Sequence, residues 1–240
     1  MTSTRERSLK IISATKLALH MVFLFASLIY YFMPPTGWEL RMPIERDAYI
    51  QAAFVGEQKG LLAPCIRYTT ETTDYSLKEY VQAVREQQLA QAQQPQDRWT
   101  DLGSFRTKAG EGRLIELELA TELGQLRMLQ VICMGAGQAH VLTGIALKEE
   151  FSSLRTIFLE TFRSFATAET LFAPIADASK REQLEALFGS LGEFPIEGDR
   201  AALQEERWSS LQKLISSAYG SQGDHWQFLL LKEGYRRIYP

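Results

Sequence analysis

An unbroken apolar run from Leu17 to Met33, LALHMVFLFASLIYYFM, constrains this chain more than any other feature. Arg5, Arg7, Lys10 and Lys16 precede it, and Pro34-Pro35 halts it. As a helix such a run is about 25 Å long, at about 1.5 Å per residue. A bilayer core of about 30 Å usually takes about 20 residues. The run fits a membrane helix if Ile11, Ile12 and Ala14 extend it and Lys16 snorkels to the headgroups. Tyr30 and Tyr31 then suit an interfacial aromatic belt. The basic leader puts the N-terminus in the cytoplasm and the rest of the chain across a bacterial inner membrane, in the periplasm. A cleaved signal peptide has the same layout, but Phe25, Ala26 and Ser27 fit its small-residue cleavage site poorly. A lipoprotein signal needs a Cys directly after the run, and the first is Cys65. A buried core helix is the third reading, against which the four basic residues argue. Residues 1–35 are therefore read as a basic leader and a single-pass signal-anchor.

Composition narrows the function classes. The formal net charge is −3, and the first 33 residues hold four basic and one acidic side chain (+3), so the remainder carries −6. A mildly acidic domain argues against nucleic acid, whose phosphates call for a basic patch. Cys65 and Cys133 either form one disulfide or are two small buried hydrophobes in separate strands. No CxxC, His/Cys cluster or HExxH occurs, so no metal site is expected. No cofactor motif is present either: the Gly135-Ala136-Gly137 stretch lacks the strand–GxGxxG–helix order of a phosphate loop.

Periodicity gives the order of elements. Gly37 to Met42, Tyr49 to Val55 and Cys65 to Thr70 read as strands. Asp74 or Ser76 caps a helix whose stripe is Leu77, Tyr80, Val81 and Val84. Four strands follow: Arg98 to Thr107, Leu114 to Thr121, Leu126 to Met134 and Gln138 to Leu147. Glycines fill the gaps between them, as tight hairpins require, and the result is an antiparallel meander. Phe151, Leu154, Phe158, Phe162 and Phe165 then recur at helical spacing and predict an aromatic face covering the sheet.

This order resembles the PsbP/DcrB-like family. The resemblance rests on Gly37-Trp38 ahead of Pro43, on Ser76-Leu77-Lys78-Glu79-Tyr80, on Val141-Leu142-Thr143, and on a helix closing at Ser164-Phe165. It covers residues 36–167. It implies an α+β domain, a seven-stranded antiparallel sheet with helices on both faces (an α/β/α sandwich). It also implies a binding or assembly role with no catalytic set. The chain departs from the pattern in lacking a lipobox Cys and in continuing for some seventy residues.

Residues 168–240 form the remainder. Two amphipathic helices are predicted, one on Leu184, Leu187, Phe188 and Leu191, the other capped near Asp199 and carrying Leu203, Trp208, Leu211, Leu214, Ile215 and Tyr219. Trp226 to Leu231 and Tyr235 to Tyr239 read as a β-hairpin around Glu233-Gly234. Trp208, Trp226, Phe228, Tyr235 and Tyr239 either anchor a partner, since Trp and Tyr dominate hot spots, or close the extension's own core.

Three functions are weighed. The first is a non-enzymatic, membrane-anchored periplasmic accessory protein that binds or stabilises a membrane or envelope protein complex. The second is a chaperone-like binder of hydrophobic helices. The third is an enzyme using Glu116 and Glu118, which share a strand face; an exposed strand face with alternate Glu is the plainer account. His140, between Ala139 and Val141, reads as a structural histidine.

Overall fold

Two-residue turns at residues 108–109, 122–123 and 136–137 join four long strands into a meander. In the last of them Ala136 and Gly137 both take positive φ, 51° and 71°, as a turn matched to the strand twist demands. These elements belong to a computed structural model that describes residues 28–41, 50–91, 97–194 and 199–240.

The meander comprises β5 (Arg98–Thr107), β6 (Gly110–Thr121), β7 (Gly124–Gly135) and β8 (Gln138–Leu147). With β2 (Glu39–Arg41), β3 (Ile50–Val55) and β4 (Cys65–Thr72) it makes a seven-stranded sheet in the order β2-β3-β4-β8-β7-β6-β5. Every pairing is antiparallel.

Side chains alternate between the two faces of the pleat. One face, with Phe54, Ile66, Leu114, Leu129, Val131 and Leu142, packs under α2 (Lys148–Ser164) through Phe151, Phe158 and Phe162. Phe158 lies so close over Gly144 that a Cβ there would sit 2.5 Å from the ring. The other face, with Ile115, Leu117, Ile132 and Ala139, receives α1 (Leu77–Gln91) through Tyr80, Leu77, Val81 and Val84. Ser76 caps α1 reciprocally with Glu79: the Ser76 N–H donates to Glu79 Oε2 at 2.8 Å, and the Glu79 N–H to Ser76 Oγ at 3.4 Å. Cys65 and Cys133 are both buried and unpaired.

The anchor expectation needs correction at its C-terminal end. Ile29–Tyr31 is a strand, β1, paired antiparallel with β9 (Ala166–Ala168), so a helix does not continue to Met33. Tyr30 stacks on His140 with ring centroids 3.6 Å apart, and Phe32 is completely buried, so neither belongs to a membrane interface. The physical reason is a strand covered on both sides. Tyr30 and Phe32 join the sandwich core, whereas Tyr31 packs against a second, helical core. A strand buried on both faces reads as a continuous apolar run. The earlier part of the run, residues 17–27, lies outside the described residues. Among the described residues no helix is long and apolar enough to cross a membrane.

The second core belongs to three helices, α3 (Ala178–Ser190), α4 (Arg200–Ala218) and α5 (Asp224–Ile238). Asp177 and Asp199 cap α3 and α4 by accepting backbone N–H groups. The expected β-hairpin is thus replaced by α5. Gly234, read as a turn residue, lies inside that helix, where a Cβ would overlap Leu211 Cδ2 of α4. Its lack of a side chain lets two helices approach rather than letting the chain reverse.

Candidate functional site: an aromatic patch on the C-terminal helices

The close approach at Gly234 sets α4 against α5 and brings three aromatic residues together. Trp208 on α4 meets Tyr235 on α5 edge to face, with centroids 5.4 Å apart, and Tyr235 meets Tyr239 at 4.6 Å. Gln204 Nε2 donates to the Ile238 carbonyl at 2.7 Å and fixes the end of α5 beside α4. Trp208 and Tyr239 are half-buried, and Tyr235 is 51% exposed. Burial raises the proton affinity of the Tyr239 phenol, and the Glu205 carboxylate adds to the effect. Trp and Tyr in such a setting give large contact area with few rotatable bonds.

The other two aromatic candidates lie elsewhere. Trp226 is completely buried in the helical core, and its Nε1 donates to the Leu171 carbonyl at 2.9 Å. It closes the module's own core and presents no surface. Phe228 is half-buried beside His225, with ring centroids 6.4 Å apart.

Glu116 and Glu118 face α2 rather than solvent, which corrects the expected exposed face. Glu116, 12% exposed at its side chain, accepts from Arg127 Nε at 2.8 Å and has Arg155 Nε at 3.8 Å. Glu118 is held by Arg127 at 3.4 Å and by Lys148 at 3.2 Å. Arg127 also lies over the Phe151 ring, 4.8 Å from its centroid. Both carboxylates are tied to fixed cations on the inner face of a packed layer.

The two described histidines are buried. His140 Nε2 donates to the Gly135 carbonyl at 3.3 Å, which leaves Nδ1 to accept from Tyr68 Oη at 2.9 Å. Burial lowers its proton affinity, opposed by that carbonyl. His225, which the sequence did not single out, accepts the Phe32 N–H on Nδ1 at 3.2 Å. Burial pushes its pKa down to about 3. The only hint of its position was a lone His beside Trp226 in an apolar stretch. A groove of about 690 Å³ runs between α1 and the β5–β6 hairpin and is lined by Leu77 and Val81 together with Lys78, Gln82 and Glu111. Asp101 and Arg113, paired at 2.7 Å, cross its floor. Among the described residues no three His, Cys, Asp or Glu side chains converge to hold a metal.

No protein-family model matches the chain, and no curated protein matches it by sequence. Several solved structures are similar to the chain. The structure of LpqN, involved in cell envelope biogenesis of Mycobacterium tuberculosis, is 14% identical over 59% of this chain and 84% of its own, with a TM-score of 0.46. Cyanobacterial PsbP (CyanoP) from Synechocystis is 14% identical over 60% of this chain and 94% of its own, with a TM-score of 0.43. A protein from Bacteroides thetaiotaomicron is 12% identical over 87% of this chain and 74% of its own, with a TM-score of 0.38. The chain's own architecture is α+β, a seven-stranded antiparallel sheet with helices.

Proposed function

We propose that this chain is a non-enzymatic accessory protein that binds or stabilises a protein complex of the bacterial membrane or envelope. The half-exposed cluster of Trp208, Tyr235 and Tyr239 carries this reading, because it is a ready hot spot on a rigid helix pair. The ion pairs that hold Glu116 and Glu118 support a structural part for both, and the partnered ring of His140 supports the same for it. Residues 11–27, about 25 Å as a helix with Lys16 snorkelling, are the proposed inner-membrane anchor, which would place the folded part in the periplasm. A cradle for hydrophobic helices ranks second. The groove beside α1 has the room, and the Asp101–Arg113 pair shares its lining with Leu77 and Val81.

In-cell crosslinking of the full-length protein, followed by detergent purification and mass spectrometry, tests the reading. One dominant membrane or envelope partner is expected, and it is lost in the Trp208→Ala/Tyr235→Ala double variant. Self-crosslinks alone, or a partner retained by that variant, would contradict it. Strong binding of an apolar dye by the folded protein would move weight to the chaperone reading.

A further inference from the structure

The α3–α5 module has its own core, separate from that of the sandwich. Residues 28–33 run between the two as a strap. Tyr30 and Phe32 enter the sandwich core, and Tyr31 enters the helical one. Met33 lies against Gly223, where α5 begins, and its N–H donates to Ser164 Oγ of α2 at 2.8 Å.

One side chain reaches the other way. His225, on the first turn of α5, inserts among Phe32, Tyr68 and Phe54, with centroid distances of 4.4, 5.7 and 6.1 Å. Among the described residues every aromatic contact from α3–α5 to the sandwich is made by this ring. It is 1% exposed, and its Nδ1 is the acceptor for the Phe32 N–H. Protonation converts that acceptor into a donor, which sets two N–H groups against each other in a dry aromatic socket.

We propose that His225 makes the joint between the two cores acid-labile, so that protonation of its ring releases the α3–α5 module and its strap from the sandwich while the seven-stranded sheet stays folded. The groups facing the ring supply no compensating charge. Phe32, Phe54 and Phe228 are neutral, and the Tyr68 hydroxyl is committed to His140. On α5 itself the nearest carboxylate, Asp224, is exposed and accepts from Gln227 Nε2 at 3.2 Å. Burial and the Phe32 N–H held on Nδ1 both oppose protonation of the ring. The docked state therefore holds a depressed pKa. Docking is at full strength above the ordinary histidine range near 6.5 and weakens as pH falls from there toward about 3.

Hydrogen exchange on the full chain in detergent, read segment by segment from pH 7.5 to 4.5, tests this. After correction for intrinsic rates, opening of α3–α5 and β1 is expected to rise by up to about tenfold per pH unit below about pH 6. Protection in β4, β7 and β8 changes less, and the part of any change there or in β1 that comes from His140, through Tyr68 and Tyr30, is the same in the His225→Gln variant. The His225→Gln variant, which keeps an acceptor for Phe32 but does not titrate, flattens the response of α3–α5. Unchanged protection of α3–α5, a loss in step across the sheet, or an equal response in the variant would each overturn the proposal. If the variant does not fold, NMR titration of the His225 ring in the unmodified chain decides. A neutral ring until α5 opens supports the proposal, and titration near pH 6.5 with α5 still protected overturns it.

Discussion

The sandwich and the C-terminal helical module are built on different principles. The sandwich is over-determined: seven strands in one antiparallel ladder, a helix on each face, and a row of phenylalanines from α2 in its core, with Phe158 locked over Gly144. The helical module relies on one core cluster around Trp226, two aspartate caps and a single glycine contact between α4 and α5. The part of the chain with fewer long-range constraints carries the exposed aromatic patch. On the proposed function, stability and recognition fall to different layers of one chain.

The difference can be broken from either side. Phe158→Ala in the sandwich and Trp226→Ala in the helical core each remove a fully buried aromatic side chain, at an expected cost of about 3–5 kcal/mol. Their footprints should differ. Hydrogen exchange should show loss of protection throughout the sheet for Phe158→Ala, and loss confined to β1 and α3–α5 for Trp226→Ala.

Gly234→Ala comes next. The alanine improves helix propensity by up to about 1 kcal/mol, but its methyl overlaps Leu211, and overpacking costs about 1–3 kcal/mol. A net loss in urea unfolding is expected, together with a weakened Trp208–Tyr235 contact visible in Trp208 fluorescence. Asp199→Ala removes the cap that accepts the Ala201 and Ala202 N–H groups and should cost about 1 kcal/mol. Ala136→Gly relieves a positive-φ residue in the β7–β8 turn and should stabilise the sandwich by about 0.5–1 kcal/mol, with the helical module unaffected.

Much of the sandwich was legible in the sequence, and the reasons are local. Glycines between alternating runs located the meander, and β5 and β8 occupy the stretches expected for them. The phenylalanine period located α2, and the stripe of Leu77, Tyr80, Val81 and Val84 located its counterpart on the other face. β1, its partner strand β9 and α5 escaped. β1 carries no polar alternation because both of its sides are covered, so its residues merged with the apolar run before it. α5 was misread because Trp226 to Leu231 is rich in strand-favouring aromatics and Gly234 looks like a turn. The glycine answers to Leu211, more than twenty positions away in sequence. Of the five aromatic candidates, the spatial cluster of Trp208, Tyr235 and Tyr239 follows from helix phase once α5 is known, and the burial of Trp226 follows from the same phase.

Site-specific photocrosslinking in cells tests the central claim most directly, with the reactive side chain placed at Tyr235 in the patch or at Tyr75, 56% exposed on the sandwich. Capture of one dominant membrane or envelope protein from position 235, and not from position 75, is the result this account predicts. An empty Tyr235 position, or equal capture from both, would contradict it.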